Sequence, residues 1–188
     1  MRLVSAVGGG TLGFQLDLDS LASDLDVAST KYDPTKHNGL IARFHEDGPA
    51  IIFYRSGAYS ISGADSLDEL EYTFDKLNKT LHELLDSSVD YNPTFEVRNI
   101  VYSGKYGNGK SPGSIDLKAV CMGLGFDVTE YEPEQFPGVF YRPDDLPGIY
   151  LIFSTGSVML TGVADTSIAV EAFEEVIRRI GDVLEINP

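Results

Sequence analysis

Few residues in this chain are placed to do covalent or metal chemistry. The lone cysteine, Cys121, lies in the apolar run AVCMGLGF and reads as a buried structural thiol. With no second cysteine there is no internal disulfide, which fits a reducing compartment. His37, His45 and His82 are the three histidines. They show no ligand spacing and have no cysteine partner, so no metal site is expected. Asp144 and Asp145 read as a turn, and Asp17 and Asp19 as the start of a helix. The stretches GGGTLG and GKYGNGKSPG are loop signals without the GxxxxGK[ST] spacing of a phosphate cradle. No nucleophile–histidine arrangement and no paired carboxylates stand out, so neither an enzyme nor a cofactor is expected.

What does stand out is repetition. Residues 32–65 read YDPTKHNGLIARFHEDGPAIIFYRSGAYSISGAD, and residues 131–165 read YEPEQFPGVFYRPDDLPGIYLIFSTGSVMLTGVAD. Tyr32 and Tyr131, Pro34 and Pro133, Gly39 and Gly138, Arg43 and Arg142, and Gly63 and Gly162 each stand 99 apart. Phe53 and Phe153 stand 100 apart. Pairing them requires a one-residue indel between Arg43 and Phe53 and a second that restores the offset at Gly57 and Gly156. The period exceeds the roughly 20–50 residues of solenoid units. It indicates a duplicated half-domain, with residues 1–90 forming one copy and 91–188 the other.

The elements that must position these residues recur in the same order. A strand at 2–7 matches one at 97–103. A short helix led by Asp17 matches one led by Asp116, both aspartates being suited to capping. Strands at 39–44, 50–54 and 58–62 match 138–142, 148–153 and 157–161, all rich in β-branched and aromatic residues. A long helix closes each half. Leu67, Leu70, Phe74, Leu77, Leu81 and Leu84 form one apolar stripe, and Phe173, Val176, Ile177, Ile180 and Leu184 form the other. Residues 86–94 read as the link. Strand runs with segregated helices predict an α+β fold with an antiparallel sheet.

Composition sets bounds. The chain has 188 residues, with 14 Lys+Arg against 29 Asp+Glu, a net charge of −15. The excess is shared: residues 1–94 hold 7 basic and 15 acidic side chains, and the remainder 7 and 14. Such a surface suits solubility or adaptation to high salt. Taken alone it argues against nucleic-acid binding, where phosphates want Lys and Arg. No apolar run of about 18 residues predicts a membrane span and no signal peptide is expected, so the default location is cytoplasmic.

The second copy carries a resemblance. Tyr131-Glu132-Pro133-Glu134-Gln135-Phe136-Pro137-Gly138, then Tyr141-Arg142, Leu151-Ile152-Phe153 and Leu160-Thr161-Gly162, closely resemble the TATA-box-binding protein family. Arg98-Asn99-Ile100-Val101 resembles its first-strand motif. The first copy matches more loosely through Tyr32-Asp33-Pro34, Leu40-Ile41-Ala42-Arg43, Ile51-Ile52-Phe53 and Ser62-Gly63-Ala64. The resemblance implies two pseudo-symmetric repeats forming a saddle-shaped antiparallel sheet, with helices on the convex face. It implies an archaeal-type, nucleoid-associated transcription initiation factor that binds double-stranded promoter DNA at a TATA-like element. That family is itself the type example of minor-groove kinking.

On this resemblance, Phe136, Phe153 and Phe53 are the wedges that enter the base stack. His37 stands where the family has a fourth Phe, and reads either as a weaker wedge or as a solvated loop histidine. Asn99, Val101, Met159 and Thr161 fall on minor-groove positions, with Arg2, Val4, Ser60 and Ser62 assigned as their first-copy counterparts. Arg2 either reaches the groove or is a solvated terminal residue. Lys36, Arg43 and Arg142 occupy phosphate-contact positions, and Arg55, Lys105 and Lys110 are loop substitutes. The family's clamp lysines are replaced by Ala58, Asp65, Ser157 and Ala164. Glu132, Glu134 and Gln135 match the loop that docks a TFB/TFIIB-type factor. The chain is then expected as a monomer on DNA, with dimerisation off DNA left open. The lost lysines keep a second reading in play, a paralogue with little DNA binding that sequesters a partner.

Overall fold

A computed structural model describes residues 1–85, 89, 91–107 and 115–186. The elements run β1 (Arg2–Thr11), α1 (Leu18–Asp24), β2 (Ser29–Lys31), β3 (Gly39–Arg43), β4 (Ala50–Tyr54), β5 (Ala58–Ala64), α2 (Leu67–Leu84), β6 (Glu96–Lys105), α3 (Leu117–Leu124), β7 (Thr129–Glu130), β8 (Gly138–Tyr141), β9 (Ile149–Phe153), β10 (Ser157–Thr161) and α4 (Thr166–Ile186). They form an α+β fold of antiparallel strands and four helices among the described residues. Two compact units emerge. One is Ser5–Arg98, and the other is Asn99–Pro188 joined by Met1–Val4.

In the first unit the strands lie in the order β2-β3-β4-β5-β1. One face of this sheet is buried. Ala6, Leu40, Ala42, Ile51, Phe53, Tyr59 and Ile61 alternate along their strands and are 0–1% exposed. Against them α1 sets Leu18 and Leu21, and α2 sets Leu70, Leu77 and Leu81. Each fully buried Leu, Ile or Phe stabilises the unit by about 1.5–3 kcal/mol. The helices start where their caps allow. The Asp17 carboxylate accepts from the Asp19 and Ser20 N–H groups at 3.1 and 3.5 Å, and Ser66 Oγ accepts from Glu69 N–H at 3.1 Å.

The second unit repeats the plan, with strands ordered β6-β10-β9-β8-β7. Ile100, Tyr102, Val139, Tyr150, Ile152, Val158 and Leu160 form its buried strand face. Val120 of α3, and Phe173, Val176 and Ile180 of α4, are buried with them. Asp116 caps α3 and Asp165 caps α4, each 99 residues after its counterpart. Gly104 packs against Phe173 and the backbone of Met1, with a Cβ there standing 2.6 and 3.4 Å away.

Two expectations are corrected. Gly8, Gly9 and Gly10 belong to strand β1 rather than to a loop. A Cβ on Gly10 would lie 2.0 Å from the Thr94 carbonyl oxygen, and one on Gly8 2.7 Å from the Phe95 ring. Glycine is required by crowding here, not by a turn. Leu84 ends the α2 stripe but is 39% exposed. The short strands β2 and β7 carry no alternation long enough to read. Residues 86–88 and 90 of the expected link at 86–94, and residues 108–114 with Lys110, lie outside the described residues.

Candidate nucleic-acid interface

Each unit leaves the opposite strand parity half-exposed. In the first these residues include Ser5, Val7, Ile41, Ile52, Tyr54, Ser60 and Ser62. In the second they include Asn99, Val101, Phe140, Leu151, Phe153, Met159 and Thr161. These are open apolar faces with a few hydroxyls and one amide. Of the minor-groove assignments, Asn99, Val101, Met159, Thr161, Ser60 and Ser62 all lie there.

The ring positions sit at one end of each face. In the second unit, residues Glu132–Phe136 form a turn in which Gln135 and Phe136 N–H donate to the Glu132 carbonyl at 2.9 Å. The Phe136 ring then lies 5.8 Å from the Phe153 ring, tilted by 58°. Gly138 is paired with Phe153. A Cβ on Gly138 would stand 2.9 and 3.0 Å from those two rings, so glycine gives both rings room. Phe153 ends β9, and its carbonyl accepts from Gly156 N–H at 2.9 Å, in a turn made possible by the Gly156 φ of 78°.

The first unit reproduces this geometry with different chemistry. Lys36 and His37 N–H donate to the Asp33 carbonyl at 3.0 Å. Gly39 pairs with Tyr54, not Phe53. The His37 ring lies 6.5 Å from the Tyr54 ring, tilted by 42°. Tyr54 carbonyl accepts from Gly57 N–H at 2.9 Å, with Gly57 at φ 84°. Tyr54 is therefore the counterpart of Phe153, and the 99-residue offset runs through without insertions.

Phe53 is not a wedge. It is 0% exposed on the helix-facing side, where its counterpart is the equally buried Ile152. Phe53 shares its type with Phe153, but the uninterrupted 99-residue offset is the signal that locates Tyr54. His37 is held rather than loose. Its Nδ1 lies 3.0 Å from the Gly39 N–H nitrogen and 3.1 Å from the Gly39 carbonyl oxygen.

Arg2 and Val4 also need correction. Ser62 pairs with Val7 and Thr161 pairs with Val101, so Val7 and Ser5 are the counterparts of Val101 and Asn99. Alternation along β1 puts Arg2 and Val4 on the parity of buried Ala6. Glycines lengthen β1 beyond the expected strand, and the two first strands keep an offset of 94 rather than 99. Asn99 Oδ1 accepts from Thr161 Oγ1 at 2.8 Å. This orients the Asn99 amide and leaves its N–H groups as donors.

The basic residues are few and engaged. Lys36 pairs with Asp33 at 2.9 Å, and its side chain is 81% exposed. Arg43 Nη1 donates to the Gly48 carbonyl at 3.1 Å. Arg142 reaches Glu130 at 3.2 Å and lies over the Phe140 ring. Arg55 donates to the Tyr32 hydroxyl at 3.0 Å. Exposed pairs of this kind contribute about 0–1 kcal/mol, so exchanging one for a phosphate costs little. The bend at Glu132 is locked by a hydrogen bond from the Gln135 amide, while Glu134 stands exposed without an ion pair among the described residues.

Cys121 is 4% exposed, and burial raises its thiol pKa. The described residues hold no metal-binding cluster of His, Cys, Asp or Glu, and no helix long and apolar enough to cross a membrane.

Comparisons with known proteins agree with this geometry. The family model described as "Transcription factor TFIID (or TATA-binding protein, TBP)" matches residues 1–84 and 94–183. TATA-box-binding protein C of Halobacterium salinarum is 38% identical over 174 residues, covering 93% of each chain. TATA-box-binding protein 1 of Haloferax volcanii is 36% identical, covering 100% of this chain and 95% of the relative. The solved structure of Methanococcus jannaschii TBP superposes with a TM-score of 0.72 at 30% identity, covering 96% of this chain and 98% of that one. The chain belongs to the TATA-binding protein family of transcription factors.

Proposed function

We propose that this protein binds a TATA-like element of double-stranded promoter DNA through its open strand faces, bends it, and recruits a TFB/TFIIB-type factor. The observation that carries the reading is the pair of equivalent ring couples, His37 with Tyr54 and Phe136 with Phe153. Apolar or aromatic wedges inserted between base steps unstack them and kink the duplex. Val7, Val101, Ile52, Leu151 and Met159 lie against a minor groove that offers acceptors at A·T pairs and no amino donor. Asn99, held by Thr161, donates to A N3 or T O2. Lys36, Arg43 and Arg142 take phosphates. Glu132, Glu134 and Gln135 present the docking loop to the partner.

A second reading rests on one specific observation. Ala58, Asp65, Ser157 and Ala164 stand at the clamp positions, which leaves few cations for the phosphates. It makes the chain a partner-sequestering paralogue with little affinity for DNA. End-to-end energy transfer on a TATA-containing duplex decides, run from low to multimolar salt with and without the TFB-type factor. Bending that persists at high salt supports the first reading. Absence of bending at every salt, with partner binding intact, moves the assignment to the second.

A further inference from the structure

The two open strand faces differ in chemistry at equivalent positions, in a way that a minor groove can sense. Where the second unit has Asn99, Met159 and Thr161, the first has Ser5, Ser60 and Ser62. Ser60 and Met159, and Ser62 and Thr161, stand 99 apart. Their strand registers agree, since Ser60 faces Ile52 as Met159 faces Leu151. All three serines are half-exposed.

In the second unit the polar groups are committed. Thr161 Oγ1 donates to Asn99 Oδ1 at 2.8 Å, so the amide's acceptor is engaged and its N–H groups remain as donors. Donors suit A N3 and T O2, the acceptors of every A·T pair. A G·C pair adds the guanine N2 amino group, itself a donor. Against Asn99 that group sets donor against donor. Against Met159 it meets a thioether, a weak acceptor, and an amino group buried without a hydrogen bond is costly.

The first unit answers differently. The hydroxyls of Ser5, Ser60 and Ser62 have no hydrogen-bond partner among the described residues. A hydroxyl rotates and both donates and accepts, so it serves A N3 or T O2 as a donor and guanine N2 as an acceptor. Ser60 is also smaller than Met159, which leaves room for the amino group. We propose that the first unit, through Ser5, Ser60 and Ser62, admits G·C pairs that the second unit rejects, so that the DNA element is strict for A·T on one side and permissive on the other. The inference rests on the DNA-binding reading and adds which base pairs each face accepts.

Fluorescence anisotropy on a TATA-containing duplex tests it, each A·T pair being replaced in turn by G·C and by inosine·C. Inosine lacks only the N2 amino group of guanine, so the ratio of the two Kd values isolates the response to that group. The ratio is expected near one along one side of the element and about tenfold along the other, as for a mismatched pair. Ser5→Asn/Ser60→Met should make the permissive side strict, and Asn99→Ser/Met159→Ser should make the strict side permissive. DNA stiffness is the same for every variant, so only a protein contact moves with the exchange. Equal ratios on both sides, or a permissive side unmoved by Ser5→Asn/Ser60→Met, overturn the proposal and leave the DNA-binding reading standing. Absence of binding to every duplex at every salt overturns both.

Discussion

Phe53→Ala and Tyr54→Ala should separate packing from DNA contact at adjacent positions. Phe53 is fully buried, so its truncation leaves a cavity and should cost about 3–5 kcal/mol in denaturant unfolding. Tyr54 lies on the open face, and its truncation should cost less than about 1.5 kcal/mol. DNA bending should respond the other way once stability is allowed for, with Tyr54→Ala reducing the transfer signal. Equal bending by Tyr54→Ala and wild type would remove the first-unit ring pair from the mechanism. At this scale Phe136 and Phe153 were legible in the sequence because their motif is dense. Tyr54 was not, because the adjacent Phe53 shares the residue type of Phe153 and only spacing singles out Tyr54. Ser5 and Val7 were hidden because the first strands keep a different offset from the rest of the repeat.

At the scale of elements, the long helices were legible because their 3- and 4-residue steps commit an apolar stripe to one side. The β1 glycines read as a loop because crowding by a sequence-distant segment leaves no local mark. Their role is testable. Gly10→Ala places a methyl 2.0 Å from the Thr94 carbonyl oxygen and should cost about 3 kcal/mol, the upper end of overpacking penalties. Helix α4 carries a separate prediction. Glu175 bonds both Arg178 and Arg179, and hydrogen bonding to these guanidinium groups holds its carboxyl at about 2, below the ordinary 4.5. A depressed folded-state value contributes stability above the unfolded value that is lost as pH falls through the folded one. Thermal unfolding between pH 4.5 and 2 should show Glu175→Gln losing less stability than wild type on acidification. Parallel curves for the two proteins would show that the network does not couple to folding.

For the whole molecule, the ratio of 14 basic to 29 acidic residues bears on how binding responds to salt. With Lys36, Arg43 and Arg142 as the phosphate contacts, the slope of log affinity against log salt should be about −0.9 per contact, or roughly −3 in all. A filter-binding or anisotropy series at several salt concentrations measures it. A slope near −10 would mean that many more cations touch the backbone than the three named. The family was legible from one motif in the second copy. The strength of DNA binding was not, because it depends on lysines this chain has replaced.

Met1–Val4 belong with Asn99–Pro188, and Met1 lies against Gly104. Residues 1–4 must therefore wait, unplaced, until the chain beyond Asn99 has been made. The first unit needs nothing past Arg98 and is free to fold while synthesis continues. The second is assembled from two separated segments, 1–4 and 99–188, so its closure carries the loop entropy of the long intervening segment. Cutting the gene after Arg98 would not yield two equal proteins. The leading fragment would keep its whole fold, and the trailing one would lack a piece of its own.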